Sequence, residues 1–375
     1  MHLISSNFLI FTAAFFAVYF LLNKVGQHVL LIVASYAFVC FASVWMAAIL
    51  FLSTAVNFVF SRQMEVNSAR QPLLACSIVF NVALLGIFKY YGFFSSSIAD
   101  TLGVIGVKYS PYTISLAAPL GLSFYTFQAI SHQIDLSRKR VRTPSFTDFT
   151  LYMAFWPKFV AGPIVRSQWF LPQLRTRKRF SWPNLFLGVE LFVYGLFLKV
   201  ALSDNLLSQI DRVFEHPKSY DGANTLVSTI FFTFQIYGDF AGYSLMVIGL
   251  ARVMGFSIRR NFNRPNLARS FSDFWARWHI SLSTWLEDYV FRSLIPRKAL
   301  AGDAQWTSVR DLYSVVLRRP VNAHDTFEAL AGDSLSYVEV ALGLEALIGD
   351  LPVSWERLEV QELEALCTPG KVALA

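Results

Sequence analysis

The sequence predicts an all-α protein: a polytopic membrane helical bundle with re-entrant segments, followed by a small soluble helical bundle. Of its 375 residues, 55% are hydrophobic and 15% are charged, whereas a soluble protein carries about a quarter charged residues. Several apolar runs reach the roughly 20 residues that a membrane-spanning helix needs. Residues 1–300 carry 27 Lys/Arg against 13 Asp/Glu, but residues 301–375 carry 5 against 12. This reversal of charge indicates two units of different kind.

The apolar runs locate the predicted spans of the first unit. They lie near residues 4–22, 29–45, 46–60, 73–94, 112–133, 184–203 and 226–250. The second and third are short for complete crossings, and we predict that they form a tight hairpin. The first has neither a basic region before it nor a small-residue cleavage site, so we interpret it as a retained anchor rather than a signal peptide.

Basic loops between the spans predict the orientation of the chain in its membrane. Residues 137–142, 175–179 and 252–269 are strongly positive, so we expect them in the cytoplasm. Residues 204–222 have mixed charge and are predicted to form an external loop.

The segment 146–165 lies between two of these cytoplasmic loops, so it cannot cross the membrane once. It contains Pro157, Gly162 and Pro163, which are poor residues for a helix interior. We predict a re-entrant hairpin buried in protein, where irregular backbone is tolerated. A single broken helix at the membrane surface is the alternative.

One carboxylate lies in the middle of a predicted span. Asp239 is in "FQIYGDFAGYS", close to Gln235, Tyr237 and Tyr243. A buried aspartate costs several kcal/mol unless it is partnered or lines an aqueous cavity. The alternative to a functional role is a hydrogen bond between helices packed through the neighbouring small residues.

The stretch "FWARWHISLSTW" places an imidazole between tryptophans. On a continuous helix, His279 would share a face with Trp275 and Ser283. A neutral imidazole in an apolar cavity can accept a proton from a hydroxyl, as general-base catalysis requires. The alternative is a histidine that only packs in the core.

Four blocks occur in order along the chain: "PLGLSFYTFQAISHQID", "FWPKFVAGPIVR", "FQIYGDFAGYSLMVIGLARVMGF" and "NFNRPNLARSFSDFWARWHISLSTWLEDYVF". Together they resemble the membrane-bound O-acyltransferase family, in its alginate O-acetylase and D-alanyl transfer branch, and the resemblance extends over residues 1–292. It implies transfer of an acyl group, with acetyl preferred, from a cytoplasmic thioester through a membrane tunnel. The acceptor would be a hydroxyl of an extracytoplasmic polysaccharide such as alginate, or of another cell-envelope polymer. By the same resemblance His279 is catalytic, and the supporting tunnel residues are Asp239, Tyr243, Trp278, Ser281, Ser283 and Trp285.

The sequence also departs from the family pattern. Family members continue with several more helices, which carry a second, essential histidine roughly fifty residues further on. His324 lies 45 residues after His279, but "RRPVNAHDTF" is polar and belongs to the acidic tail, so we do not expect His324 to replace it.

The acidic tail contains "DTFEALAGDSLSYVEVALGLEALIG", where Asp333 and Ser334 begin a predicted helix. By this motif the tail resembles an acyl carrier protein. We predict a membrane domain over 1–295, a linker over 296–304 and a carrier domain over 305–368. The resemblance implies that Ser334 carries 4′-phosphopantetheine, attached by a phosphopantetheinyl transferase. The carrier would lie in the cytoplasm, where its acidic face could dock on the basic loops.

Three functions compete for the whole chain. The first is a multi-pass O-acyltransferase of the inner or plasma membrane, fused to its acyl donor. The second is a non-catalytic truncated anchor that presents the carrier to a separate acyltransferase. Independently of these two, a further protein could be a partner that supplies the missing acyltransferase half. A pore or transporter would explain Asp239 but not the tail. The three cysteines are far apart in sequence and predict neither disulfide nor metal site, and nothing suggests a nucleic-acid partner.

Overall fold

The computed structural model describes residues 5–67, 70–104, 118–159, 162–291, 308–330, 334–348, 351–352 and 355–367. The chain divides into two compact units. The first comprises Met1–Asn263 and Trp278–Trp285, and the second comprises Arg264–Arg277 and Leu286–Ala375. Over the described ranges the structure is almost wholly helical and contains no β-strand.

Most helices belong to the first unit. They are α1 (Ser6–Tyr19), α2 (Lys24–Cys40), α3 (Val44–Val66), α4 (Arg70–Leu85), α5 (Tyr91–Val104), α6 (Leu122–Ser137), α7 (Phe146–Met153), α8 (Ser167–Phe170), α9 (Trp182–Phe197), α10 (Asn205–Glu215), α11 (Gly222–Val253) and α13 (Ile280–Leu286). Helix α12 (Phe271–Arg277) precedes α13 in the chain but belongs to the second unit. Two π-helical turns, Gly86–Tyr90 and Leu198–Asp204, join α4 to α5 and α9 to α10.

Within the described part of the chain, three helical runs are long and apolar enough to cross a membrane. They are Val44–Val66, Arg70–Ala99 and Trp182–Glu215, and they contain the predicted spans 46–60, 73–94 and 184–203. The expectation that the third span is short was wrong, because α3 has 23 residues and therefore measures about 34 Å.

The predicted external loop 204–222 is also different from expectation. Asn205–Glu215 forms α10, which continues from α9 through the π-helical turn. Ile210 and Val213 are its buried residues, and this helical spacing of apolar side chains explains why the segment folds as a helix instead of a loop.

Helix α6 is buried on every side although it is rich in polar residues. It covers only the second half of the predicted span 112–133, and residues 105–117 lie outside the described ranges. In α3, Asn57 accepts a hydrogen bond from Asn81 of α4 at its Oδ1, at 2.7 Å, and one from Gln133 of α6 at its backbone carbonyl oxygen, also at 2.7 Å. These amides hold three helices together through buried hydrogen bonds, as polar residues commonly do within membrane proteins.

The segment 146–165 lies in the protein interior. Over its described residues, 146–159 and 162–165, the only α-helix is α7, which has eight residues and spans about 12 Å, too short for a crossing. From Phe149 to Phe159 the side chains are almost completely buried, which does not fit a broken helix lying at the membrane surface. How the segment enters the membrane stays a prediction.

Glycines bring α9 and α11 into close antiparallel contact. A Cβ atom on Gly195 would lie 2.5 Å from the carbonyl oxygen of Gly242, and one on Gly249 would lie 2.4 Å from that of Gly188. Within each helix the two glycines are seven residues, or about two turns, apart. The same face of α9 therefore meets the same face of α11 at two levels.

The second unit contains a separate hydrophobic core. Beyond α12, its described helices are α14 (Val309–Val316), α15 (Ser334–Ile348) and α16 (Val360–Ala365). The core consists mainly of Leu312, Tyr313, Phe327, Val340, Leu344, Trp355, Val360 and Leu363. The helix predicted to begin at Asp333 and Ser334 corresponds to α15, which starts at Ser334, while the predicted linker 296–304 lies outside the described residues.

Candidate functional site

His279 lies at a helix break, not within a continuous helix as expected. Helix α12 ends at Arg277, α13 begins at Ile280, and His279 between them has φ +43°. Its carbonyl oxygen accepts the amide hydrogens of Leu282 at 2.9 Å and Ser283 at 3.0 Å. A left-handed backbone costs a non-glycine residue about 1–3 kcal/mol and is often found at functional sites.

The imidazole of His279 lies in an aromatic setting. Its ring meets the Phe240 ring edge-on at 4.6 Å, and Phe262 packs against both Phe240 and Trp278 with ring centroids 5.0 Å apart. Nε2 is buried and has no hydrogen-bond partner among the residues that the structure describes. An unsatisfied buried nitrogen costs about 1–3 kcal/mol, and it is available to accept a proton from a bound hydroxyl.

The serines of this block have structural partners. Ser281 donates to Asn261 Oδ1 at 2.6 Å and accepts the amide hydrogen of Ile164 at 3.0 Å, while Asn261 O accepts the amide of Ile280 at 2.8 Å. Ser283 donates to the carbonyl oxygen of Trp278 at 3.2 Å. Ser281 therefore joins the buried irregular segment to the start of α13.

Trp285 anchors the other end of α13. Its Nε1–H donates to the carbonyl oxygen of Phe127 at 3.0 Å, and the two rings lie 4.7 Å apart. This contact attaches α13 to the buried helix α6.

A buried lysine lies in the same irregular segment, and the sequence analysis did not single it out. Lys158 is 2% exposed. Its ammonium donates to Gln128 Oε1 at 2.7 Å and to the carbonyl oxygen of Tyr152. Gln128 in turn donates to Val165 O at 3.3 Å. The signal was a single lysine within "FWPKFVAGPIV", a segment otherwise without charge.

Asp239 and Tyr243 form a separate cluster with Lys199. The Lys199 ammonium lies 2.6 Å from Asp239 and 2.7 Å from Asp204, and 5.4 Å from the centre of the Tyr243 ring. Glycine packing of α9 on α11 brings these side chains together. Asp239 thus faces Lys199, whereas its neighbour Phe240 faces His279.

The tail residues are described only in part. Ser334 is the first residue of α15, and Asp333 lies outside the described residues. His324 is 75% exposed and its Nδ1 lies 2.9 Å from Glu359, an interaction that lowers the pKa of the Glu359 carboxyl.

The fold and the site together define a class: a helical membrane protein with a strained histidine and buried ionisable groups. Comparison with known proteins makes this specific, because the profile of the membrane-bound O-acyltransferase family matches residues 105–304. The chain belongs to this family.

Three relatives show the range of the similarity. The chain is 33% identical over 293 residues to the probable alginate O-acetylase AlgI of Pseudomonas aeruginosa (76% of this chain, 55% of the relative). It is 30% identical over 308 residues to a peptidoglycan O-acetyltransferase of Helicobacter pylori (73% and 58%). It is 31% identical over 220 residues to a teichoic acid D-alanyltransferase of Streptococcus thermophilus (54% and 51%). The chain thus spans a little more than half the length of each.

Proposed function

We propose that the chain is a membrane O-acyltransferase. It moves an acyl group, with acetyl preferred, from a cytoplasmic thioester to a hydroxyl of an extracytoplasmic polysaccharide such as alginate, or of another cell-envelope polymer. The observation that supports this most is the His279 imidazole, which combines a strained backbone with a buried nitrogen that has no protein partner in the described structure. The names of the relatives, which act on three different envelope polymers, support the acceptor class.

In the proposed reaction His279 handles one proton. Nε2 accepts the proton of the polymer hydroxyl while the hydroxyl oxygen attacks the thioester carbonyl, and the proton then passes to the departing thiolate. Ser281 and Trp285 keep α13, and with it His279, in place through their bonds to Asn261 and Phe127. Lys199, Asp239 and Tyr243 contribute a second polar region of the proposed tunnel.

The tail supplies the thioester in this proposal. Ser334 would carry 4′-phosphopantetheine, whose thiol holds the acyl group as a thioester. The first residue of a 15-residue helix suits such an attachment, because a helix N-terminus stabilises a phosphate. The net negative charge of residues 301–375 suits docking on the basic loops 137–142 and 175–179.

A second candidate is a non-catalytic membrane anchor that presents the carrier to a separate acyltransferase. The observation that favours it is the lack of a counterpart, in this chain, to the second family histidine, since His324 is exposed and paired with Glu359. In that case the separate acyltransferase supplies the catalytic residues.

Replacement of His279 tests the first candidate. In a strain without its own polymer acyltransferase, His279→Ala should reduce polymer O-acylation about 10²–10⁴-fold, the usual contribution of positioned proton transfer, at normal protein abundance. His216→Ala, an exposed histidine, is the matched control. Full activity of His279→Ala contradicts the catalytic role, and no acylation by the unmutated chain alone favours the anchor.

Mass spectrometry tests the carrier assignment. The full chain, coexpressed with a broad-specificity phosphopantetheinyl transferase, should gain the mass of one phosphopantetheine group at Ser334. Ser336→Ala should keep the modification, and Ser334→Ala should lose it. An unmodified chain, under conditions that load a known carrier protein, would contradict the assignment.

A further inference from the structure

A concave apolar surface lies between α1, α9 and α11 of the first unit. Its cavity has a volume of about 450 Å³, within the roughly 300–1,000 Å³ typical of small-molecule sites. Apart from Thr12, the lining residues are apolar or glycine: Phe8, Leu9, Phe16, Phe20, Phe180, Leu185, Gly188, Val189, Phe192, Gly249, Leu250 and Val253. We name it the α1–α9 groove.

One end of the α1–α9 groove is positively charged. Phe20, Phe180 and Val253 line that end, and Arg177 donates from Nη2 to the carbonyl oxygen of Phe20 at 3.3 Å. Arg179 directly precedes Phe180. Both arginines are exposed, and neither pairs with a carboxylate among the described residues.

We propose that the α1–α9 groove binds one anionic phospholipid, with an acyl chain along the groove and its phosphate at Arg177 and Arg179. The apolar lining suits an acyl chain, because its single hydroxyl leaves a polar ligand with almost no hydrogen-bond partner. The arginines explain the headgroup, because basic pockets at the cytoplasmic end of membrane helices attract anionic lipid phosphates. The bond to Phe20 holds one guanidinium at the end of the groove, so this charge is already positioned.

Lipid binding by the purified full chain tests the proposal. Native mass spectrometry would compare phosphatidylglycerol with phosphatidylcholine of the same acyl chains. We expect preferential retention of phosphatidylglycerol, and roughly 30-fold weaker binding to the double variant Arg177→Gln/Arg179→Gln, since each arginine near an anionic headgroup contributes about fivefold. The charge-matched control, Lys139→Gln/Arg142→Gln in another basic loop, should bind normally.

A second pair of variants tests the groove itself. Leu9 lines the groove and is 56% exposed, whereas its neighbour Ile10 is 68% exposed and does not line it. Leu9→Trp fills the groove and should abolish lipid retention, while Ile10→Trp should not.

Four results would overturn the proposal. They are equal retention of the two lipids, equal loss in the charge-matched control, unchanged binding by Leu9→Trp, and full displacement of phosphatidylglycerol by inorganic phosphate. A dimer that Leu9→Trp dissociates, without change in lipid binding, would assign the groove to contact between copies instead.

Discussion

At the scale of single residues, His279 combines a strained backbone, which costs stability, with an imidazole that is proposed to transfer a proton. A φ of +43° is unfavourable for any side chain with a Cβ atom. The amide of Ile280, the residue after His279, donates to the carbonyl oxygen of Asn261 at 2.8 Å where α13 begins. This tertiary contact is made by the backbone alone, so it can hold the strained conformation without the imidazole.

Glycine should therefore relieve the strain at this position. We expect His279→Gly to be about 1 kcal/mol more stable than His279→Ala, because glycine tolerates a left-handed backbone. Thermal unfolding of the purified protein measures the difference. On the exposed helix α12 alanine should instead be more stable than glycine, so Ala276→Gly should lower the stability of the protein by about 1 kcal/mol. Equal stability of the two His279 variants would show that the left-handed conformation costs nothing.

The residues of the site were predictable only in part. The block "FWARWHISLSTW" indicated His279 and its serines, because an imidazole among apolar residues stands out. Local spacing predicted a continuous helix. It could not show the break, because the hydrogen bonds that Ile280 and Ser281 donate to Asn261 join residues about twenty apart in sequence. Lys199, the partner of Asp239, was not predictable for the same reason, because the packing of α9 against α11 creates the contact.

At the scale of helices, the α9–α11 pair depends on its glycines. The two backbones approach so closely that a Cβ atom on Gly195 would lie 2.5 Å from the carbonyl oxygen of Gly242, and one on Gly242 would lie 2.7 Å from that of Gly195. Small residues at a helix interface permit such contact within a membrane protein. The same contact brings Lys199 to Asp239, so the polar cluster depends on it.

A methyl group at Gly195 should separate these helices. Gly195→Ala should cost about 1–3 kcal/mol, because the new Cβ would lie 2.5 Å from a backbone oxygen that cannot move freely. Gly92→Ala in α5 is the matched control, since its Cβ would meet nothing within 4 Å. That variant should be slightly more stable, owing to the helix propensity of alanine. Denaturation in detergent compares the two, and equal stability would contradict the close contact.

Helix existence was easier to predict than helix environment. Composition and length identified the long apolar runs, which became α3, α4–α5 and α9–α10. The burial of α6 on every side was not apparent, because the sequence indicated only an apolar span near 112–133 and not which residues would cover it. The hydrogen bond between Gln133 of α6 and Asn57 of α3 shows that α6 lies in the interior.

At the scale of the whole molecule, charge distribution determines orientation. Positive loops are retained in the cytoplasm, so 137–142 and 175–179 should lie on the same side. The chain between them contains only the short helices α7 and α8 and an irregular buried stretch, which provides no spanning helix in the described part. The acidic tail should share this side if it exchanges acyl groups with a cytoplasmic donor.

Cysteine labelling tests this orientation directly. In a background without the native cysteines, Arg142→Cys, Thr176→Cys and Asn322→Cys should resist a membrane-impermeant thiol reagent in intact cells, and should react once the membrane is permeabilised. All three positions are exposed in the structure, so burial does not explain their protection. Ser219→Cys, in the mixed-charge segment 204–222, is the positive control and should react in intact cells. Labelling of Thr176→Cys but not of Arg142→Cys would make residues 146–165 a true crossing, because the two positions would then lie on opposite sides of the membrane.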